Sequence, residues 1–218
     1  QTTCQNYIGS PVEIEFALSI DQDSGNRKFA ILQLRPMMEG SVDIDIDLGE
    51  VDRDKAMCIC SQSLGNGVIE GIRDIVYVHP GRLDRMHTVG LTDEIEAIDA
   101  ALRAEKRPYV LIGPGRWGSA DPSLGIPVQW DQIMGSKTIV EVPMSDIHVE
   151  PSQGTHFFQN IVTFNIGYLT IGADDFVDWD WLDSQEAPTE SGALRHVSLS
   201  EPLRVILDSR DSEAIITR

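Results

Sequence analysis

The chain of 218 residues carries a formal net charge of −18. This length allows one large domain or two small ones with a sizeable core. The negative charge disfavours nucleic acids and anionic membranes as partners, because both bind through basic surfaces. The sequence contains no apolar run as long as a membrane span and no signal-peptide pattern at its start. We therefore expect a cytoplasmic protein.

Three cysteines, Cys4, Cys58 and Cys60, form an odd and sparse set. One residue separates Cys58 from Cys60, which is not the CxxC spacing of redox and zinc sites. On a strand, we expect these two side chains to point to opposite faces. The pattern favours reduced, structural thiols in the cytoplasm.

Two alternating segments near the start of the chain, residues 12–17 and 29–36, predict half-buried β-strands. Residues 21–26 between them are rich in Asp, Ser, Gly and Asn, which are typical turn residues. The sequence therefore predicts an antiparallel hairpin.

Successive side chains of a strand point to opposite faces, which places the polar side chains of this hairpin on particular faces. Glu13 and Glu15 share one face of the first strand, and Gln33 and Arg35 share one face of the second. Carboxylates hold Mg²⁺, and Arg and Gln donate hydrogen bonds to phosphate oxygens, so the set suits a bound polyphosphate. The alternative is a solvent-exposed hairpin face with a surface salt bridge.

The same residues carry a family resemblance. An acidic-Ile-Glu strand, a hairpin and then Leu-Gln-x-Arg-Pro resembles the end of the ATP-grasp nucleotide-binding domain of phosphoenolpyruvate synthase and pyruvate phosphate dikinase, over residues 8–38. The resemblance implies ATP and Mg²⁺ as cofactors. It makes Glu15 a metal ligand with Glu13 beside it, and Gln33 and Arg35 contacts to the ATP phosphates.

This resemblance implies a C-terminal fragment of an ATP-dependent phosphotransferase, because most of an ATP-grasp domain precedes this hairpin in that family. The parent kinase would pass phosphate to a small molecule such as pyruvate or another acceptor, and its own remaining polypeptide would be the main partner. We expect the 218 residues alone to be inactive and to bind ATP weakly or not at all. The alternative is a non-catalytic ligand-binding or regulatory module that keeps the hairpin as a scaffold.

The remaining sequence predicts an α/β fold with a mixed, strand-rich sheet and few helices. A strand at 74–78, a helix that begins at Thr92 and ends near residue 107, and a strand at 109–112 suggest a βαβ-like unit. Further strands are predicted at 138–142, 166–171, 196–199, 203–207 and 214–217, and an acidic loop at 174–192. We divide the chain into a hairpin domain, 1–40, and an α/β domain, 41–218, with a further boundary near 173 left open.

The glycine-rich segment 113–119 literally fits G-x-G-x-x-G after a strand. The dinucleotide fingerprint needs a helix next, and the prolines that follow prevent one. We expect a loop whose free backbone N–H groups, at Gly113 and Gly115, form an anion cradle together with Arg116 and Ser119. The alternative is a tight structural turn packed under Trp117.

A second loop, residues 151–154, precedes a helix that Thr155 could cap and that runs to about 163. His156 lies in the first turn, where the helix dipole favours an anion. The segment loosely resembles the phosphohistidine swivelling domain of the same enzyme family, although the glycine pair before the histidine is absent. This implies a transient phosphate on His156. Because this helix start and segment 113–119 are both glycine-bearing loops at strand or helix ends, where α/β folds usually place ligands, we expect them to form one anion site. The alternative is a histidine that only packs.

Overall fold

The computed structural model of the chain contains two units, residues 1–44 and 45–218. It describes residues 12–20, 27–36, 48–83, 88–119, 121–144, 156–208 and 210–218, and for Glu13, Gln33, Arg35 and His156 it describes the backbone. The predicted boundary near residue 40 falls in segment 37–47, outside the described residues. Among the described residues, no helix is long and apolar enough to cross a bilayer.

The first unit is a two-stranded antiparallel hairpin. Strand β1 (Val12–Ile20) pairs with strand β2 (Arg27–Pro36), and the register places Glu13 opposite Arg35 and Glu15 opposite Gln33. The hairpin predicted from the alternating pattern is therefore confirmed.

The second unit contains a mixed sheet of ten strands and a small two-stranded sheet. Its strands are β3 (Ala56–Cys60), β4 (Ser63–Leu64), β5 (Gly67–Val78), β6 (Tyr109–Pro114), β7 (Arg116–Trp117), β8 (Gly125–Ile126), β9 (Ser136–Val142), β10 (Gly167–Thr170), β11 (Phe176–Val177), β12 (Thr189–Ser191), β13 (Leu194–Asp208) and β14 (Glu213–Thr217). Its described helices are α1 (Thr88–Ala104), α2 (His156–Thr163) and α3 (Trp179–Ser184).

The strand order of the large sheet is β11-β3-β14-β13-β5-β6-β9-β10-β4, and β12 pairs with β13. In the large sheet, the pairs β5–β6, β6–β9 and β9–β10 are parallel, and all other described pairs are antiparallel. The fold is thus α/β, with a mixed, strand-rich sheet and few helices, as the sequence predicts.

Helix α1 connects β5 to β6 and packs through the apolar stripe of Ile95, Ile98 and Leu102, which are buried. The predicted start at Thr92 is wrong, because the helix begins at Thr88 and Thr92 is buried within it. Residues 84–87, which precede the helix in the sequence, lie outside the described residues.

Two apolar layers cover the two faces of the large sheet. Along β5, Ile75 and Tyr77 belong to one layer, and Val76 and Val78 belong to the other, on the side of α1. Parallel strands buried on both faces have continuous apolar runs of this kind, because successive side chains point to opposite faces.

The two thiols of β3 lie in one layer. Cys58 and Cys60 are both buried in the layer that contains Tyr77. The expectation that they point to opposite faces is wrong, because residues two apart on a strand share a face. Burial raises the pKa of Cys58, and burial raises that of Cys60 to about 11, so both thiols stay protonated at neutral pH.

The C-terminal part of the chain completes the same sheet. The two strands predicted at 196–199 and 203–207 are one long strand, β13, whose register against β5 shifts between Ser198 and Leu203. The predicted loop at 174–192 contributes β11, α3 and β12. A domain boundary near 173 is therefore wrong.

Candidate functional site

The hairpin register brings four polar positions to one face. Residues directly opposite each other in an antiparallel pair lie on the same face. Because Glu13 faces Arg35 and Glu15 faces Gln33, the two acidic positions lie next to the two donor positions. This juxtaposition depends on the register, which the spacing within each strand does not reveal.

A β-bulge maintains this division between the faces. Gln33 pairs with Glu15 but Ile31 pairs with Phe16, so Leu32 is an extra residue in β2. Without the bulge, strict alternation along β2 would place Ile31 on the same face as Gln33, which is the polar face. The sequence contains a signal for the bulge, since the apolar residues of β2 change phase between Ile31 and Gln33.

The opposite face of the hairpin is apolar and exposed. Phe16, Leu18, Ile20, Phe29 and Ile31 are each between 53% and 60% exposed. The rings of Phe16 and Phe29 lie 5.0 Å apart. The hairpin is therefore amphipathic: Glu13, Glu15, Lys28 and Arg35 lie on the other face, and Arg27, opposite Ile20, is the one charged residue of the two strands on the apolar face.

The polar positions of the hairpin fit Mg²⁺ with a polyphosphate. Mg²⁺ is usually held by one or two carboxylates together with substrate phosphates, rather than by a complete protein cage. With such a ligand, Glu13 and Glu15 would provide the carboxylates, and Arg35 and Gln33 would provide donors for phosphate oxygens. Where side chains are described, no group of three or more His, Cys, Asp or Glu residues could hold a metal ion.

The glycine-rich segment lies at the carboxyl end of β6, and its amides are already used. Gly115 N–H donates to Val142 O at 2.9 Å, and Gly118 N–H donates to Ile126 O at 2.9 Å. Trp117 N–H donates to a carboxylate oxygen of Glu141 at 3.0 Å. The expectation that the Gly115 N–H is free to bind an anion is wrong, because these three N–H groups hold the segment to its neighbours.

The glycines of this segment permit close packing. A Cβ atom on Gly113 would lie 2.4 Å from the Trp117 ring, and one on Gly115 would lie 2.3 Å from Leu124 O. Trp117 is buried. These contacts support the alternative of a structural turn packed under Trp117.

The two polar side chains predicted for the anion cradle, Ser119 and Arg116, have different surroundings. The Ser119 hydroxyl donates to Asp121 O at 3.0 Å within its own turn. Arg116 is half-buried and pairs with Gly125 between β7 and β8. Contact of Arg116 with phosphate stays a prediction.

A buried carboxylate joins this segment to the sheet. Glu141, 4% exposed, accepts hydrogen bonds from Trp117 N–H at 3.0 Å and from the Tyr168 hydroxyl at 2.5 Å. It therefore connects the end of β9 to the glycine-rich segment and to β10. The sequence analysis missed Glu141, although a charged residue inside the apolar run of β9 is a visible signal.

The start of α2 touches the glycine-rich segment. A Cβ atom on Gly118 would lie 2.5 Å from the ring of Phe157, and Phe157 is buried against Trp130 at a ring distance of 5.6 Å. The two segments that the sequence analysis placed together are thus neighbours. His156 is the first residue of α2, but its imidazole lies outside the description, so its phosphate role stays a prediction.

A second buried carboxylate, also missed, lies near the beginning of β6. Asp74, 1% exposed, accepts hydrogen bonds from Arg107 at 2.6 and 2.9 Å, and His196 Nε2 lies 2.8 Å from it. Burial raises the pKa of Asp74, but the bonds from His196 and Arg107 outweigh burial, so the net pKa is lowered.

A third polar cluster attaches α3 to the sheet. The Tyr77 hydroxyl donates to Asp183 at 2.7 Å, and Arg195 donates to the Tyr77 oxygen at 2.8 Å and to Asp183 at 3.2 Å. Arg82 also bonds to Asp183. Burial raises the pKa of Tyr77, and the bond to Asp183 raises it further. The cluster therefore joins α3 to β5 and β13 through a protonated phenol.

Comparison with known proteins gives no relative: no protein-family model, curated protein or solved structure matches this chain.

Proposed function

We propose that this chain contributes metal and phosphate contacts to ATP in an ATP-dependent phosphotransferase resembling phosphoenolpyruvate synthase and pyruvate phosphate dikinase. One observation supports the proposal most directly. The hairpin register aligns Glu13 with Arg35 and Glu15 with Gln33 on one face, which suits a metal ion beside phosphate oxygens.

In this proposal, Glu15 holds Mg²⁺ with Glu13 beside it, and Arg35 and Gln33 donate hydrogen bonds to the phosphates. The acceptor is pyruvate or another small molecule, and His156 is the candidate for a transient phosphate carrier. We place this activity in the cytoplasm, since the described thiols are free and buried, as is typical of a reducing compartment.

The test measures ATP turnover by the full translated product of the gene. Arg35→Ala removes a charge-assisted contact worth about 1.5–3 kcal/mol, so we expect turnover at low ATP to fall by about ten- to a hundredfold. Glu15→Gln keeps the shape of the side chain and removes its charge, and we expect a loss that added Mg²⁺ partly restores.

Lys28→Ala is the matched control. Lys28 faces Ser19 on the same side of the hairpin, towards the turn, and is exposed. Turnover equal to wild type in Lys28→Ala, with a loss in Arg35→Ala, supports the proposal. Unchanged turnover in both Arg35→Ala and Glu15→Gln would contradict it.

The second candidate function is a non-catalytic ligand-binding or regulatory module. The internal hydrogen bonds of Gly115, Trp117 and Gly118 favour it, because they give the glycine-rich segment a structural role. A full gene product that folds but neither binds nor turns over ATP would support this candidate over the phosphotransferase.

A further inference from the structure

A groove of 470 Å³ runs along helix α1 in the second unit. Pro188 and Thr189, at the start of β12, form the opposite wall, and His196 and Arg107 also line it. Its volume falls within the range of about 300–1,000 Å³ that is typical of small-molecule sites. The hairpin and the glycine-rich segment contribute no residue to this lining.

The floor of the groove is apolar and shallow. Ala97 and Ala101, one turn apart on α1, are exposed, and the larger Ile98 and Leu102 beside them are buried. Small side chains on an otherwise well-packed helix leave room for a ligand. An aliphatic chain that lies along this stripe would lose contact with water and gain contact with methyl groups.

Each end of this floor carries a carboxylate. Glu94 precedes the alanines and Glu105 follows them, and both line the groove. Glu105 directly follows Ala104, the last residue of α1, so a rise of about 1.5 Å per residue separates the two backbones by about 16 Å. A linear ligand along the groove therefore approaches one acidic side chain at each end.

His196 adds a buried acceptor to the wall. It is 8% exposed, and its Nε2 lies 2.8 Å from the Asp74 carboxylate. A carboxylate accepts only, so Nε2 carries a hydrogen, and the tautomer with its hydrogen on Nε2 has a lone pair on Nδ1. Within the described part of the chain, Nδ1 has no hydrogen-bond partner. It is therefore available to accept a bond from a ligand in the groove.

The charges of the groove favour a cation. Arg107 donates four hydrogen bonds, two to Asp74, one to Ser198 and one to Glu105, so its charge is directed to protein acceptors. Glu105 is paired with Arg107, but two carboxylates against one guanidinium leave the lining negative, on a chain of net charge −18. An anionic ligand would meet these carboxylates and find Arg107 engaged.

We infer that this groove binds a linear aliphatic amine, with the chain of methylene groups on Ala97 and Ala101 and an ammonium group near Glu94 or Glu105. The inference is independent of the phosphotransferase proposal, because it uses other residues.

Diaminooctane, octylamine and octanediol are the probes, because they share one aliphatic chain and differ in charge. We expect saturable backbone NMR shifts in α1 with diaminooctane, weaker binding of octylamine, and the weakest binding of octanediol. Equal affinity for octanediol and diaminooctane would overturn the role of the carboxylates, and saturation by none of the three would overturn the site.

Two variants then locate the binding. Ala101→Leu fills the floor with a good helix former and should abolish the saturable shifts, while the remaining spectrum verifies the fold. Glu94→Gln should raise the dissociation constant of diaminooctane about two- to fivefold, the size of an exposed ion pair. Asp93→Asn, on the exposed neighbouring residue, is the control for net charge and should change little.

Diaminooctane binding that survives Ala101→Leu, or that falls equally in Asp93→Asn and Glu94→Gln, would show general attraction to an acidic protein and would overturn the proposed site.

Discussion

The hairpin and the ten-stranded sheet differ in the burial of their apolar side chains. In the hairpin, Phe16, Leu18 and Phe29 are more than half exposed, whereas Val76 and Leu111 of the sheet are fully buried. An isolated two-stranded hairpin is marginally stable, but a sheet covered on both faces supports itself. The hairpin therefore positions its polar residues by register alone, while the sheet positions Glu141 and Asp74 by burial.

The largest expected effect tests this difference in burial. Leu111→Ala removes a fully buried side chain from the sheet, so we expect a loss of about 2–5 kcal/mol in the free energy of unfolding. Phe29→Ala in the hairpin is the matched control and should leave the unfolding of the sheet unit unchanged. Denaturant titration followed by tryptophan fluorescence measures both, since all four tryptophans belong to the sheet unit. A comparable loss in both variants would show that the hairpin and the sheet do not differ in this way.

Asp74→Asn tests whether buried charge stabilises the sheet. It weakens charge-assisted bonds from Arg107 and His196, so we expect a loss of about 1.5–3 kcal/mol at neutral pH. Ser198→Ala, which removes a neutral contact of Arg107, should cost less.

The pH dependence of this effect has a defined sign. Because the pKa of Asp74 is lowered in the folded protein, its carboxylate contributes stability above its unfolded pKa, and that contribution is lost as the pH falls through the folded pKa. The difference in unfolding free energy between wild type and Asp74→Asn should therefore shrink towards acidic pH. A difference that stays constant from neutral to acidic pH would show that the charge of Asp74 is not responsible.

Alanine substitutions at Gly118 and Gly71 distinguish the effect of close packing from the effect of backbone strain. Gly118 has φ of +75° and lies against Phe157, whereas Gly71 has φ of +81° and nothing within 4 Å of an added Cβ atom. Both alanine substitutions add strain of about 1–2 kcal/mol. Gly118→Ala adds overpacking, typically about 1–3 kcal/mol, so it should destabilise the sheet unit more. Equal thermal shifts would refute the packing role.

Local patterns in the sequence predicted much of the fold. The alternation in β1 and β2, the apolar runs of β6 and β9 and the stripe of α1 are local, so each element is recognisable by itself. The mixed strand order brings β13 beside β5, and no local pattern encodes this pairing. The start of α1 was misjudged because Thr92 resembles an N-cap, while in the structure it is buried inside the helix.

The candidate site was less predictable. Gly115 and Gly118 match the G-x-G-x-x-G pattern of an anion-binding loop. Their amides, however, bond to the ends of β9 and β8, and the local sequence around the glycines does not reveal these bonds. Glu141 and Asp74 went unnoticed, although Glu141 interrupts the apolar run of β9 and Asp74 directly precedes the apolar run of β5. A charge at such a position needs buried partners, which only the folded arrangement of β10 and β13 supplies.

In our proposal, the polar face of the hairpin contacts the phosphates of Mg-ATP. Calorimetric titration of Mg-ATP into the full translated product, and into Arg35→Ala with Lys28→Ala as control, measures this contact. We expect stoichiometric binding that Arg35→Ala weakens by at least about tenfold, the value of one charge-assisted bond, and that Lys28→Ala preserves. Equal affinity of wild type and Arg35→Ala for Mg-ATP would show that Arg35 does not contact the phosphates.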